Sequence, residues 1–272
     1  MIQNLVIVLR TSLIIATGLA IVVASVYAAI ESQEPDLCQW LSSNSSSIAA
    51  SRAEIYLSLS SLYLMPAGSE HIMLLQSASS SRLFNISGTS DSNRLKTDFK
   101  HLGDVIQEHL SSTERRTRLS IEWTKLFRGV KPGYSPLPPY ESLYRDGWLI
   151  GSHTTDIRDE YFESGFNLSN QWPGEPPDHI GLELGYLFFL SSREAEAWAE
   201  ADIGEAHRLL DLESSFLKKH LAVWTSLLSE EIKQYDEIGF YRQVAEISEA
   251  WIRFDSELLA EHTQCVEPRL SH

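Results

Sequence analysis

Two proline-rich segments, residues 131–140 (KPGYSPLPPY) and 172–177 (WPGEPP), restrict most strongly how this chain can fold. Proline removes a backbone donor and fixes φ, so neither segment can continue a helix. Elsewhere beyond residue 45, hydrophobic residues recur at helical spacing, and no segment alternates apolar and polar residues as a strand does. The pattern therefore predicts an all-α helical bundle of about nine helices.

The helix boundaries are predicted from apolar stripes and from the residues that interrupt them. Ile55, Leu59 and Leu62 fall on one face of a helix that Pro66 ends. The same reasoning predicts helices over residues 97–110, 113–127, 155–162, 178–192, 193–201, 211–235 and 240–262.

The N-terminal residues differ from the rest, and we expect a separate segment with a linker at 1–45, followed by a helical domain at 46–272. Residues 11–30 carry no charge and are long enough to cross a bilayer. Three interpretations stay open for them: a membrane anchor, a signal peptide, and a translation start placed too far upstream. The Ser-rich residues 40–51 are typical of a linker.

Charge and cysteine content exclude several classes of protein. The formal net charge is −15, and a chain this acidic repels a phosphate backbone, so no nucleic-acid partner is expected. Residues 141–272 hold 26 acidic and 10 basic side chains, which suits either a solvated surface or attraction of a cationic partner. Cys38 and Cys265 form no CxxC pair, so no zinc knuckle, iron–sulfur cluster or disulfide framework is expected.

A first candidate constellation lies directly after the second proline segment. Asp178 precedes an apolar helix and is a good N-cap candidate, while His179 and Glu183 are four residues apart on one face. The interpretations are a capped helix with a surface pair, a metal site or an acid–base pair. Because there is no HExxH motif and no nucleotide-binding or hydrolase signature, no catalytic residue, metal or cofactor is assigned.

A second constellation combines a helix with the first proline segment. Trp123, Leu126 and Phe127 form an apolar stripe, and Pro139 and Tyr140 follow on a stiff loop. Such a stripe is either ordinary core or one wall of a groove for a peptide.

Taken in order, the motifs resemble those of the TorD/DmsD family of redox-enzyme maturation chaperones, to which the NarJ-type chaperones are related. The resemblance covers roughly residues 48–262. It rests on RAEIYLSL at 52–59, EWTKLFRG at 122–129, PLPPYESLY at 136–144, EPPDHIGLELGYLFFL at 175–190, and the pattern FLKKHLAVW…FYRQVAEI at 216–247.

This resemblance implies a non-catalytic cytoplasmic chaperone whose two helical lobes join at a hinge near the EPPDH motif. Its partner would be the apo form of a molybdopterin oxidoreductase catalytic subunit, whose export is delayed until the cofactor is inserted. The twin-arginine signal peptide of that enzyme would bind at Trp123, Leu126, Phe127, Pro139, Tyr140, Glu175, Asp178 and His179.

Elementary chemistry agrees with this set, since carboxylates such as Glu175 and Asp178 pair well with guanidinium groups. A hinge between lobes also permits a domain-swapped homodimer, and residues 11–30 would permit a membrane tether. The alternatives are a small helical metal-dependent hydrolase, using Asp178, His179 and Glu183, and a membrane-tethered scaffold for a respiratory complex.

Overall fold

Ten α-helices and one short 3₁₀-helix make up the described part of the computed structural model, which covers residues 37–85, 90–129, 133–167 and 174–266. Within these residues there is no β-strand, and β-pairing is limited to isolated bridge positions, which confirms the all-α prediction. The helices are α1 (Leu37–Leu64), α2 (Ser69–Ser80), α3 (Ser90–Leu110), α4 (Thr113–Phe127), α5 (Glu141–Arg145), α6 (Ser152–Ser164), α7 (Ile180–Ala199), α8 (Ile203–Lys219), α9 (Leu221–Tyr235) and α10 (Phe240–Val266).

Several predicted boundaries are confirmed and others are wrong: the helix predicted from residue 97 begins at Ser90, and the one predicted from 211 begins at Ile203. Helix α4 has the predicted bounds, and α1 ends just before Pro66. The predicted break at 192–193 does not exist, since α7 continues through it, and the Ser192 hydroxyl donates back to the carbonyl of Phe188 (2.7 Å) within the helix. The predicted helix 211–235 is instead broken at His220, whose φ and ψ of −117° and −92° separate α8 from α9.

The Ser-rich residues 40–51 belong to α1 and are not a linker. Their small hydroxyls are used in packing: Ser45 Oγ lies 3.0 Å from His262 Nε2, and Ser46 Oγ donates to the carbonyl of Ala195 at 2.9 Å. Ile48 and Ala49 on the same helix are buried. Serine frequency signals a turn only where its hydroxyl competes with the helix backbone, and here the hydroxyls find other partners.

The chain divides into two units, residues 1–43 and 44–272, and the second is compact by itself. The predicted domain limit at 45–46 and the two lobes with a hinge stay predictions. The hydrophobic residues 11–30 lie outside the described residues. None of the described helices combines the length and hydropathy that crossing a bilayer requires.

Cys38 and Cys265 are each disulfide-bonded, which corrects the expectation drawn from their spacing, since spacing identifies metal motifs but not which thiols oxidise.

A buried ionic centre connects α1, α7, α8 and α10. The Arg52 guanidinium contacts Asp255 at 2.6 Å and Glu194 at 2.7 Å, and it also binds Glu213. Burial raises the pKa of Glu194 to about 7 and that of Glu213 to about 8, although the Arg52 charge opposes both shifts. Glu194 and Glu213 are therefore at least partly protonated at neutral pH.

The end of α1 also positions the start of α7. A Cβ atom at Gly181 would lie 2.6 Å from Leu64 Cγ, so only glycine allows the two helices to approach this closely. Ser60 Oγ donates to the carbonyl of Gly181 at 2.6 Å. This contact fixes where the residues just before α7 enter the bundle.

Candidate functional site

The two proline-rich motifs, far apart in sequence, meet in an antiparallel bridge between Tyr140 and His179. Glu141 N–H donates to the Asp178 carbonyl and Ile180 N–H to the Pro139 carbonyl, both at 2.9 Å. Proline keeps its neighbours extended, so each segment offers its backbone groups sideways to the other. The bridge brings the predicted loop residues together with the predicted residues before α7.

His179 is the N-cap of α7, where the sequence predicted Asp178. Its Nδ1 accepts a hydrogen bond from Gly181 N–H at 3.0 Å, and its ring packs edge-on against Tyr140 at 5.3 Å. Burial lowers the pKa of His179 to about 4, although Glu175 opposes this shift. The imidazole is therefore neutral above about pH 5, and it forms no pair with Glu183.

Asp178 caps a different helix from the one expected. Its fully buried carboxylate accepts a hydrogen bond from Ser142 N–H (3.0 Å) in the first turn of α5. The sequence alone could not distinguish the two helices, because the bridge between the motifs brings the start of α5 within reach. Asp178 is thus placed to hold the motif loop in position rather than to contact a ligand directly.

Glu175 lies at the surface end of this arrangement. Tyr140 Oη donates to Glu175 Oε1, and Arg128 Nη1 lies 3.1 Å from Glu175 Oε2. Arg128 also lies over the Trp123 ring, with its Cζ 5.0 Å from the centroid. Partial burial raises the pKa of Glu175, but the Tyr140 hydrogen bond, the nearby His179 and Arg128 together bring it below its usual range. Glu175 is therefore an ionised acceptor.

Trp123, Leu126 and Phe127, the predicted apolar wall, are core residues with 6%, 0% and 1% exposure. Trp123 Nε1 donates to the Leu62 carbonyl at 3.2 Å, and Phe127 packs against Tyr63 at 5.3 Å. Of the three, only Trp123 reaches the rest of the predicted set, through Arg128. The structure thus brings together Trp123, Pro139, Tyr140, Glu175, Asp178 and His179, whereas Leu126 and Phe127 lie beneath them.

The opposite face of α4 carries an apolar groove that sequence reasoning missed. Ile121 is 61% exposed, and the groove has a volume of about 480 Å³. Its sequence signal is an isoleucine on the otherwise polar face of α4, one residue away from the Trp123 stripe. The lining residues are Thr117, Ser120, Ile121, Thr124, Lys125, Tyr134 and Ser135.

The groove lies along α4, and Glu175 is paired with Arg128, the residue directly after α4. Arg128, which binds Glu175, follows Thr124 by four residues, about 6 Å along the helix axis. The surface therefore has an apolar part and an acidic end. We use "α4 site" for the groove together with Glu175, Tyr140 and Arg128.

A second buried polar cluster behind the motif loop involves Glu183. Trp224 Nε1 donates to Glu183 Oε2 at 3.2 Å, and burial with the nearby Glu141 raises the pKa of Glu183 well above its usual range. His220 Nδ1 lies 2.8 Å from Glu141 Oε2. No three His, Cys, Asp or Glu side chains converge as metal ligands anywhere in the described ranges, so the Asp178–His179–Glu183 hydrolase gains no support from the geometry.

Comparison with known proteins matches the family model described as "Nitrate reductase delta subunit" over residues 91–230, more than half of the chain. A protein named Chaperone protein TorD from Vibrio cholerae is 29% identical over 211 residues, 77% of this chain and 92% of that protein. Proteins of the same name from Vibrio vulnificus and Shewanella pealeana are 27% and 26% identical, over 76% of this chain and 94% and 89% of theirs.

Proposed function

Since the chain belongs to the nitrate reductase delta subunit family, we propose that it is a maturation chaperone for a molybdopterin-dependent oxidoreductase. It binds the apo catalytic subunit and the twin-arginine signal peptide of that enzyme, and it delays export while the cofactor is inserted. The similarity to proteins named TorD chaperones over three quarters of the chain supports this class. We assign no enzymatic activity to it.

The observation that supports the signal-peptide proposal is an exposed apolar groove along α4, together with an ionised carboxylate, Glu175, that is paired with the residue following the same helix. A twin-arginine signal has two arginines followed by an apolar stretch, so its receptor needs both surfaces next to each other. Glu175, supported by Tyr140, is suited to a guanidinium. Ile121 and the rest of the groove are suited to the apolar residues that follow.

The roles of the predicted residues are revised accordingly. Glu175 and Tyr140 contact the peptide, while Pro139, Asp178 and His179 hold the motif loop in the conformation that presents them. Trp123 contacts the peptide with the ring face that Arg128 covers. Leu126 and Phe127 support the helix from the core. The acidic second half of the chain adds long-range attraction for a basic peptide, so the association rate falls as salt increases.

The test is a titration of the full chain with a synthetic peptide that has two consecutive arginines followed by about 15 apolar residues. Calorimetry gives the affinity, and the control peptide carries alanine in place of both arginines. We expect binding that the control peptide loses and that Glu175→Gln weakens. Equal affinity for the two peptides would contradict the proposal.

Client recognition is tested separately from the peptide. The catalytic subunit of a molybdopterin oxidoreductase from the same organism is prepared with and without its cofactor, in both cases lacking the signal peptide. We expect the chain to co-purify with the apo form and not with the cofactor-loaded form. Equal recovery of both forms would contradict a role in cofactor insertion.

We place the chaperone in the cytoplasm, before export, and one observation favours the tethered alternative. Cys38 and Cys265 are disulfide-bonded, and disulfides are typical of oxidising compartments. Thiol alkylation in intact cells, combined with a carbonate wash of the membrane fraction, decides between the two. Alkylated cysteines in the soluble fraction support the chaperone, whereas protected cysteines in the washed membranes support the tethered scaffold.

A further inference from the structure

Arg128 already occupies, within the chain, the position that a peptide arginine needs at the α4 site. Its guanidinium pairs with Glu175 Oε2 at 3.1 Å, and Tyr140 takes the other carboxylate oxygen. The same guanidinium lies over the face of the Trp123 ring, with its Cζ 5.0 Å from the centroid. Both oxygens of Glu175 are thus engaged before any ligand arrives.

The backbone holds Arg128 at this place. It is the C-cap of α4, and the next residue, Gly129, has φ of +56°. A Cβ atom at Gly129 would lie 2.8 Å from Pro138 Cγ, so the turn after α4 is both left-handed and closely packed. This turn fixes the backbone position of Arg128, from which its side chain reaches Glu175.

We propose that Arg128 is an internal competitor that occupies the guanidinium position of the α4 site and must be displaced by an arginine of the ligand. This proposal rests on the proposed function and names how the same site is regulated. The exchange replaces one guanidinium by another on the same carboxylate. The net free energy of binding therefore comes from the other contacts of the ligand. The chain thereby lowers its affinity for all cationic peptides and binds those that also fill the groove.

The geometry permits this exchange without damage to the core. The Arg128 side chain is 38% exposed, so it can move into water without leaving a buried charge. Trp123 stays in place because its Nε1 is held by the Leu62 carbonyl. Displacement therefore leaves the ionised Glu175 and the face of the Trp123 ring that Arg128 covered open to the ligand.

The experiment compares the affinity of the full chain and three variants for the twin-arginine peptide described above. The variants are Arg128→Gln, Glu175→Gln and the double variant. Arg128→Gln should bind the peptide roughly five- to twenty-fold more tightly than the unmodified chain. The reason is that the peptide no longer has to displace a partly exposed ion pair and its cation–π contact. Arg128→Gln should tighten binding less in the Glu175→Gln background than in the unmodified chain, because the main competition is for the Glu175 carboxylate.

A matched control is Arg115→Gln, which makes the same change in net charge on the same helix. Arg115 pairs with the exposed Glu108 at 2.7 Å and does not touch the α4 site. We expect its affinity to stay within about two-fold of the unmodified chain, since distant surface charges are screened. Thermal unfolding checks that all four variants fold.

The outcomes separate this proposal from the proposed function. If the unmodified chain binds the peptide and Arg128→Gln binds with equal or lower affinity, Arg128 is not a competitor and the signal-peptide function stands. Equal tightening by Arg128→Gln in the presence and absence of the Glu175 carboxylate also overturns the proposal. If no variant binds the peptide, the proposed function fails and this inference fails with it.

Discussion

Replacing Glu213 by glutamine should stabilise the protein relative to the unmodified chain by an amount that grows as the pH rises from 6 to 9. Glu213 lies with Glu194 and Asp255 around the single guanidinium of Arg52, fully buried. Burial raises its pKa to about 8 despite the Arg52 charge. Near pH 6 the carboxyl is therefore already neutral in the folded protein, like the amide that replaces it.

The magnitude follows from the difference between the folded and unfolded states. In the unfolded chain a glutamate ionises near pH 4.3. Raising the pH from 6 to 9 therefore stabilises the unfolded state by a free energy equivalent to about three pKa units. In the folded protein Glu213 ionises only above its pKa of about 8, so the folded state is stabilised by the equivalent of only about one pKa unit over the same range. Because folded Glu213 binds its proton more tightly, stability falls as pH rises through this window, by about two units or about 3 kcal/mol. Glutamine does not ionise and loses none of this.

The measurement is urea unfolding followed by far-ultraviolet circular dichroism at pH 6, 7, 8 and 9. The free energy of unfolding of Glu213→Gln should rise relative to the unmodified chain by about 3 kcal/mol across this range. Arg52, Tyr56, His262, Asp255 and Glu194 face the same centre in both proteins, and Glu194, with a pKa of about 7, titrates in the same window. Glu196→Gln, an exposed change on α7, is the control. Parallel pH profiles for Glu213→Gln and the unmodified chain would refute the reasoning.

Three further outcomes are expected. Asp178→Ala should lower the free energy of unfolding by about 1–2 kcal/mol because it removes the cap of α5, while Asp178→Asn should retain most of it; equal loss in both would exclude the capping role. Hydrogen bonds to Glu141 and Glu160 outweigh burial and raise the pKa of His220 to about 9. His220→Gln should therefore cost more stability at pH 6 than at pH 10, since the native contribution is lost as pH rises through 9; a constant cost in chemical denaturation would contradict this. Ile121→Asp should abolish binding of the twin-arginine peptide without changing thermal stability, whereas Val223→Asp, another exposed apolar change, should not affect binding; equal effects would place the groove elsewhere.

The helical class and most helix bounds could be predicted because they depend on local periodicity and on proline. The break at His220 could not, since it is set by a contact with Glu141, 79 residues away. Nor could the continuity of α7 through Ser191 and Ser192, where side-chain hydrogen bonds decide the outcome. Local patterns report which backbone states are allowed, and tertiary partners choose among them.

The candidate site shows the same division. The motifs at 138–142 and 175–180 were expected to act together, and their bridge confirms that they meet. The sequence could not show that Trp123 faces inward while Ile121 faces outward, because both lie on a helix with apolar residues on two sides. It also could not show Arg128 on Glu175, because a pair 47 residues apart has no local signature.

The bridge between Tyr140 and His179 has a use in protein engineering. Its two backbone hydrogen bonds hold the two ends of the segment 141–178 next to each other. The exposed tip at Trp148, Leu149 and Ile150 is therefore an insertion point from which a fluorescent domain would be carried without separating the motifs.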